Sequence, residues 1–421
     1  MKSINDSHHN GIHKIASNVF VEFSQFALQY NAVNLGQGFP SFKTPEFLKK
    51  AAIEAINADF NQYSRPGGHP MLVQAISNLY SPLFHRDLNP MTEIVTFNGA
   101  QGGITAILST LLNRGDKLAI FEPYFDSYVS ISTMLGLETV GIPFETAVPF
   151  DQLKTSGEFY VDLKKLDRIL AQENVKALVL NTPHNPLGKV FTRKELEEIV
   201  CVLEKYPEIL IISDEVYEFM CYDGRKHERI ATISNMFDRT ISLFSAGKTF
   251  SCTGWRVGYA IAPHHLAQTL IKAQSLITFC VATPLEVAVA KAIDQARDLQ
   301  YFDKQAKQLQ SKRDRLYQAL KVSGWHPIFP EGGYFICCNI IKHKMFQKYK
   351  DTKIAKSMPK KQYPDYQFAL ELCKTHKLTT IPLSGFYTNA VSLTETGMIR
   401  LAFCKDEATL DAAMNIICQM E

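Results

Sequence analysis

What this 421-residue chain has little of narrows the field first. No run of about 18 apolar residues appears, so no membrane-spanning helix and no membrane partner are expected. The formal net charge is only +3, from 45 basic and 42 acidic side chains, which leaves no electrostatic footprint for nucleic acid. The nine cysteines include no Cys-x-x-Cys pair. Neither a metal centre nor a disulfide framework is expected, and reduced thiols point to the cytoplasm. The amino terminus, MKSINDSHHNGIHK, lacks the apolar core of a secretory signal and the arginines of a transit peptide. Repeats and low-complexity tracts are missing as well.

One motif is incomplete. Gly247-Lys248-Thr249 looks like the tail of a phosphate-binding loop, but the first glycine of that pattern is replaced by Ser242. A nucleotide-binding reading fails on that residue. Lys248 is then either a surface lysine or a group with different chemistry.

What is present is the composition of a globular chain, with 46% apolar residues against 21% charged ones, enough for a sizeable core. Short apolar runs alternate with helical patterns: EIVTF, KLAIF, VKALVL, ILIIS, TISLF and RVGYAIA. Continuous runs of this kind are what strands of a parallel sheet look like when helices cover both faces. The fold class is therefore α/β. After about residue 285 the pattern changes. Residues 290–324 read as one long helix ending at Gly324, and shorter strands and helices beyond imply a second, α+β unit. The Lys-rich stretch 340–366, interrupted by Pro359, reads as a solvated loop.

In open α/β sheets, ligands bind beyond the carboxyl ends of the strands. Four such ends carry uncommon polar groups: Asn98-Gly99-Ala100-Gln101, Asn181-Thr182-Pro183-His184-Asn185, Asp214-Glu215-Val216-Tyr217, and Ser245-Ala246-Gly247-Lys248. Singly, each has a plainer reading as a turn, a Pro-stiffened loop, a helix cap or a solvated lysine. Together they assemble a helix start that attracts an anion, an amide, a carboxylate beside a phenol, and an amine. Arg256 follows Lys248 by eight residues and adds a cation. Pyridoxal 5′-phosphate (PLP) requires that set: an amine for its aldehyde, a carboxylate for its ring nitrogen, donors for its phenolate oxygen, and N–H groups with a cation for its phosphate.

The blocks SAGKTFSCTGWRVGY, NTPHNPLGKVF, SDEVYEFMCYDG, NLGQGFPSF and MIRLAFCKDEATLDAA resemble the fold-type I, class I PLP-dependent aminotransferases. They look most like the kynurenine aminotransferase, glutamine transaminase K and cysteine-S-conjugate β-lyase group, from about Val19 to near the carboxyl terminus. The resemblance implies a mostly parallel central sheet covered by helices, plus a smaller α+β domain. It divides the chain into an N-terminal arm, 1–45, that joins the small domain, a large PLP-binding domain, 46–300, and the small domain, 301–421.

The resemblance also implies roles. Lys248 would hold PLP as a Schiff base and shuttle the proton, and Asp214 would pair with the ring nitrogen. Tyr217 and Asn185 would reach the 3′-oxygen, and Phe125 would stack on the ring. Gly99, Ala100, Gln101, Ser245 and Arg256 would hold the phosphate. Tyr63 would reach the phosphate of a partner subunit, making a homodimer with shared sites. Arg400 would clamp the substrate α-carboxylate, with Gly38 and Asn185 beside it. Phe20, Tyr63 and Phe279 would line the substrate side-chain pocket. Phe20 stands where some members carry Trp, and Cys280 where some carry His, which sets this pocket apart. The implied activity is ping-pong transfer of an amino group to a 2-oxo acid. The donor would be an aromatic, sulfur-containing or glutamine-type L-amino acid such as kynurenine, phenylalanine, methionine or glutamine. The alternative is cysteine-S-conjugate β-lyase chemistry in the same site.

Overall fold

A computed structural model describes residues 18–349, 359–388 and 397–420. The amino-terminal tail and the middle of the Lys-rich stretch, both singled out above, lie outside these residues.

The continuous apolar runs form strands. They are β1 Ile94–Asn98, β2 Lys117–Glu122, β4 Val175–Asn181, β5 Leu210–Asp214, β6 Thr240–Ser245 and β7 Val257–Ile261, with β3 Glu138–Pro143 added. One seven-stranded sheet results, in the order β1-β7-β6-β5-β4-β2-β3. Neighbouring residues of a strand pack into different apolar clusters. Leu118, Ile120, Ala177 and Val179 belong to one, and Ala119, Phe121, Leu178 and Leu180 to another. Side chains alternate between faces and helices cover both, so no polar alternation is needed.

The mostly parallel sheet is as expected, and three features add to the sequence reading or depart from it. First, β7 runs antiparallel to β1 and β6, so the sheet is mixed. A run buried on both faces does not reveal its direction. The reversal brings Arg256, just before β7, to the edge where the other strands end, since Val257 pairs with Asn98. Second, β3 is an edge strand, mostly half-exposed, and so lacks a continuous apolar run. Third, the single long helix is two, Thr283–Asp298 and Tyr301–Val322. Gln300 at φ 51° breaks the helix, and the chain folds back so that Tyr301 stacks on Phe250 at 5.5 Å and Phe302 on Phe219 at 4.0 Å. No glycine or proline marks that break. The stop at Gly324, at φ 72°, is where the sequence put it.

A second, antiparallel sheet follows: β8 Pro327–Ile328, β9 Phe335–Asn339, β10 Ile381–Pro382 and β11 Met398–Ala402, in the order β8-β9-β11-β10. The amino-terminal helix Val19–Gln29, capped by the Asn18 side chain, packs with this part. Its Phe23 meets Tyr366 edge-on at 5.2 Å and shares an apolar cluster with Leu35, Trp325 and Leu401. Val33–Asn34 pairs in parallel with Leu378–Thr379. Among the described residues no helix is long and apolar enough to cross a membrane. The carboxyl edge of the large sheet therefore faces residues of the amino-terminal segment and of the second sheet, and a cavity lies between them.

Candidate active site

Strand β6 ends at Ser245, and the chain turns at once into a one-turn helix, Ala246–Thr249. Lys248 projects from it into the cavity. Its Nζ donates to the Gly38 carbonyl at 2.8 Å and to the Tyr334 hydroxyl at 2.6 Å. Burial pushes the amine down to about 8, and the nearby Arg400 and Arg256 charges act in the same direction. Such an amine reaches its neutral, nucleophilic form far more readily than a solvated lysine.

Asp214 ends β5, in register with Asn181 at the end of β4. The Asn181 side-chain amide donates to the Asp214 carbonyl at 2.9 Å. The Asp214 carboxylate accepts from the Tyr128 hydroxyl and, at 3.3 Å, from the Val216 N–H. Burial raises it to about 6, against the pull of Tyr128 and Val216. It is thus a buried anion at neutral pH, an arrangement that calls for a cationic partner. Tyr217 lies on the same turn, its ring edge-on to Tyr334 at 4.9 Å, and burial raises its hydroxyl so that it stays a neutral donor.

The third group is built for an anion. The helix Gly99–Leu111 begins directly at the end of β1, and the Asn98 side chain does not cap it. Asn98 instead accepts from the Thr278 hydroxyl at 2.8 Å and the Gln274 amide at 3.3 Å. The first-turn N–H groups and the helix dipole are left to attract negative charge. Gly99 sits at φ 77°, and a Cβ there would lie 2.3 Å from the Arg256 guanidinium. A Cβ on Gly258 would lie 2.6 Å from the Ala100 nitrogen. The two glycines let Arg256 close onto the helix start, with Ser245 lining the same cavity.

The fourth is a carboxylate clamp. Arg400, on β11, is wholly buried. Its Nη1 donates to Asn185 Oδ1 at 2.8 Å and its Nη2 to the Gly36 carbonyl at 3.0 Å. Its Nε has no hydrogen-bond partner among the described residues. The guanidinium lies 3.9 Å over Phe335, 4.9 Å from Phe20 and 5.3 Å from Phe386. Burial lowers it to about 10, which leaves it charged at neutral pH. A planar guanidinium fork that lines the cavity suits a two-pronged carboxylate.

These groups, with Phe20, Gln101 and Phe125, line one cavity of about 290 Å³, and Gly99 stands behind its wall. Two of the singled-out residues are elsewhere. Tyr63 is 83% exposed and Phe279 45%, and they meet edge-on at 5.1 Å outside the cavity of their own chain. Gly38 turns its carbonyl to Lys248, and a Cβ there would lie 2.7 Å from Phe335. The strand-end rule picked out Asn181 without giving it a role, and sequence reasoning passed over Tyr128 and Tyr334. Tyr128 and Tyr334 carry no local signal, because other elements bring them in.

The residues fit PLP. The cradle at Gly99 is closed by Arg256 and admits no side chain, Asp214 is a buried anion, and Lys248 is a depressed amine.

The aminotransferase class I and II family matches residues 30–417. The chain is 40% identical over 415 residues to the kynurenine–oxoglutarate transaminase of Dictyostelium discoideum, covering 96% of this chain and 94% of that one. It is 38% identical over 413 residues to human kynurenine–oxoglutarate transaminase 3, covering 96% and 88%. The solved structure of N-succinyldiaminopimelate aminotransferase from Mycobacterium tuberculosis matches at a TM-score of 0.86 and 30% identity, covering 99% of this chain and 100% of that one.

Proposed function

The chain belongs to the class I and II aminotransferases, a PLP-dependent family, and from there we propose a donor class and a set of residue roles. The donor is an aromatic, sulfur-containing or glutamine-type L-amino acid, kynurenine first among them, and the acceptor is a 2-oxo acid. The kynurenine–oxoglutarate transaminases among its relatives support that choice. The observation that carries the roles is the convergence of Lys248, Asp214 and Arg400 on one cavity.

When bound, PLP supplies an aldehyde that takes up amino groups and an electron-withdrawing cationic ring. Lys248 would be the amine that holds it, and Asp214 would place a negative charge against the ring nitrogen. Tyr217 and Asn185 offer donors to the phenolate oxygen, and Phe125 covers one ring face. Gly99, Ala100, Gln101, Ser245 and Arg256 hold the phosphate. Arg400 takes the substrate α-carboxylate, which fixes the Cα–H bond toward Lys248 Nζ. Displaced by the substrate amino group, the neutral Lys248 amine would take the Cα proton and deliver it to the carbon that carried the cofactor's aldehyde, a contribution of about 10²–10⁴-fold for general acid–base help. Donor and acceptor both carry an α-carboxylate, so one clamp would serve them in turn, and the kinetics are ping-pong because the amino group stays on the enzyme between the two half-reactions. Phe20 and Gly38 bound the substrate end.

The proposal includes a homodimer with shared sites. Tyr63, Phe279 and Leu276 leave apolar surface exposed beside the phosphate cradle, and Leu276 is 88% exposed. Tyr63 of the partner subunit would cover it and reach the phosphate. The three-part division at residues 45 and 300 belongs to the same reading. A panel of amino donors with 2-oxoglutarate tests the donor class. Turnover with kynurenine, phenylalanine, methionine or glutamine is expected. Turnover confined to aspartate would overturn it.

A further inference from the structure

Glu286 lies on helix Thr283–Asp298, wholly buried and away from the cavity. Its carboxylate accepts from the Ser64 hydroxyl at 2.7 Å, the His69 N–H at 3.2 Å and the Thr96 hydroxyl at 2.7 Å. One turn earlier on the same helix, the Thr283 hydroxyl donates to the Gln62 carbonyl at 2.7 Å. Gln62 and Ser64 are the two neighbours of Tyr63. The loop is therefore pinned immediately before and after Tyr63 by one helix, and Thr96 ties that helix to β1. Tyr63 itself is 83% exposed, and its ring meets Phe279 edge-on at 5.1 Å. Burying a carboxylate is costly unless hydrogen bonds compensate it. Here two of the three donors, the Ser64 hydroxyl and the His69 N–H, come from the loop that carries Tyr63.

We propose that Glu286 is a positioning residue which, with Thr283, holds Tyr63 in the projecting pose in which it completes the phosphate site of a second copy of this chain. This rests on the shared-site reading of Tyr63 given above. A projecting phenol on a loose loop would lose ordering entropy each time it met a phosphate. A loop pinned on both sides has already lost it. Glu286 would thus set how tightly the partner subunit keeps its cofactor, without touching it.

The test is retention of PLP by purified holoenzyme, read by equilibrium dialysis. The variants are Tyr63→Phe, Glu286→Met, Glu286→Gln, Thr283→Val and the double variant Tyr63→Phe/Glu286→Met. Tyr63→Phe should weaken retention about tenfold or more, the loss of one hydrogen bond to a charged group. Glu286→Met should weaken it by a similar factor, and Glu286→Gln, which keeps an acceptor oxygen, by no more than about threefold. In the double variant the two losses should not multiply, because residues acting as one unit are non-additive. Multiplying losses, or full retention in Glu286→Met beside a weakened Tyr63→Phe, would overturn the role of Glu286 alone. Wild-type retention in Tyr63→Phe would overturn the shared-site reading and this inference with it. If Glu286→Met does not fold, Thr283→Val in the same cycle with Tyr63→Phe decides the matter by the same two outcomes.

Discussion

The Tyr128 hydroxyl donates a hydrogen bond to the Asp214 carboxylate, and both buried side chains line the cavity. The helix Ser127–Leu135 thereby becomes part of the site. Burial alone drives Asp214 toward its neutral form, and Tyr128 opposes that. An Asp214 that titrates near 6 loses its charge as pH falls through that value, so cofactor uptake by the apoprotein should fall off below about pH 6. Tyr128→Phe removes the donor and should move that acid limb upward. A drop in kcat of about tenfold, with little change in KM, is expected from the loss of one charge-assisted hydrogen bond. A pH profile of uptake and steady-state kinetics check both.

Arg400→Lys should raise KM for amino and oxo acids alike by about ten- to a hundredfold. An ammonium cannot keep the Asn185 and Gly36 contacts and also offer a carboxylate the planar fork that a guanidinium can. Unchanged KM values for both substrates would show that the clamp lies elsewhere.

Lys248 loses its proton near 8 instead of 10.5, because burial disfavours the charged form. Only the neutral amine attacks an aldehyde. The rate of PLP capture by the apoprotein should therefore rise about tenfold per pH unit below pH 8 and level off above it, once Asp214 is ionised. Stopped-flow absorbance follows the capture, and a rise continuing past pH 10 would contradict the depressed amine.

Gly258→Ala would put a Cβ 2.6 Å from both Ala100 N and Gly99 C, backbone atoms that cannot swing aside. The start of helix Gly99–Leu111 must shift. We expect a loss of about 1–3 kcal/mol in stability, typical of overpacking, together with weaker retention of PLP. Thermal unfolding and dialysis report the two effects separately.

Much of the site was legible because it hangs on strand ends. Lys248, Asp214, Asn185 and Gly99 each follow an apolar run, and the sheet brings those ends to one edge. What was not legible depends on which elements meet. The antiparallel direction of β7 is decided by its neighbours. The break at Gln300 has no local breaker residue and follows from Tyr301 and Phe302 packing back on the large sheet's cluster. The pairing of Asn185 with Arg400 joins residues 215 positions apart, and Tyr128 reaches Asp214 across 86. Phe279 stays outside its own chain's cavity, a placement that no spacing in the sequence reveals, whereas Tyr63, also outside it, was expected to face a partner subunit.

The central assignment is that Lys248 carries the cofactor. Borohydride reduction of the holoenzyme, followed by digestion and mass spectrometry, reports which lysine does so. A reduced pyridoxyl phosphate adduct on the peptide containing Ser245-Ala246-Gly247-Lys248-Thr249-Phe250 is the expected result, with loss of the visible absorbance. An adduct on a different lysine, or none in a preparation that still transaminates, contradicts it.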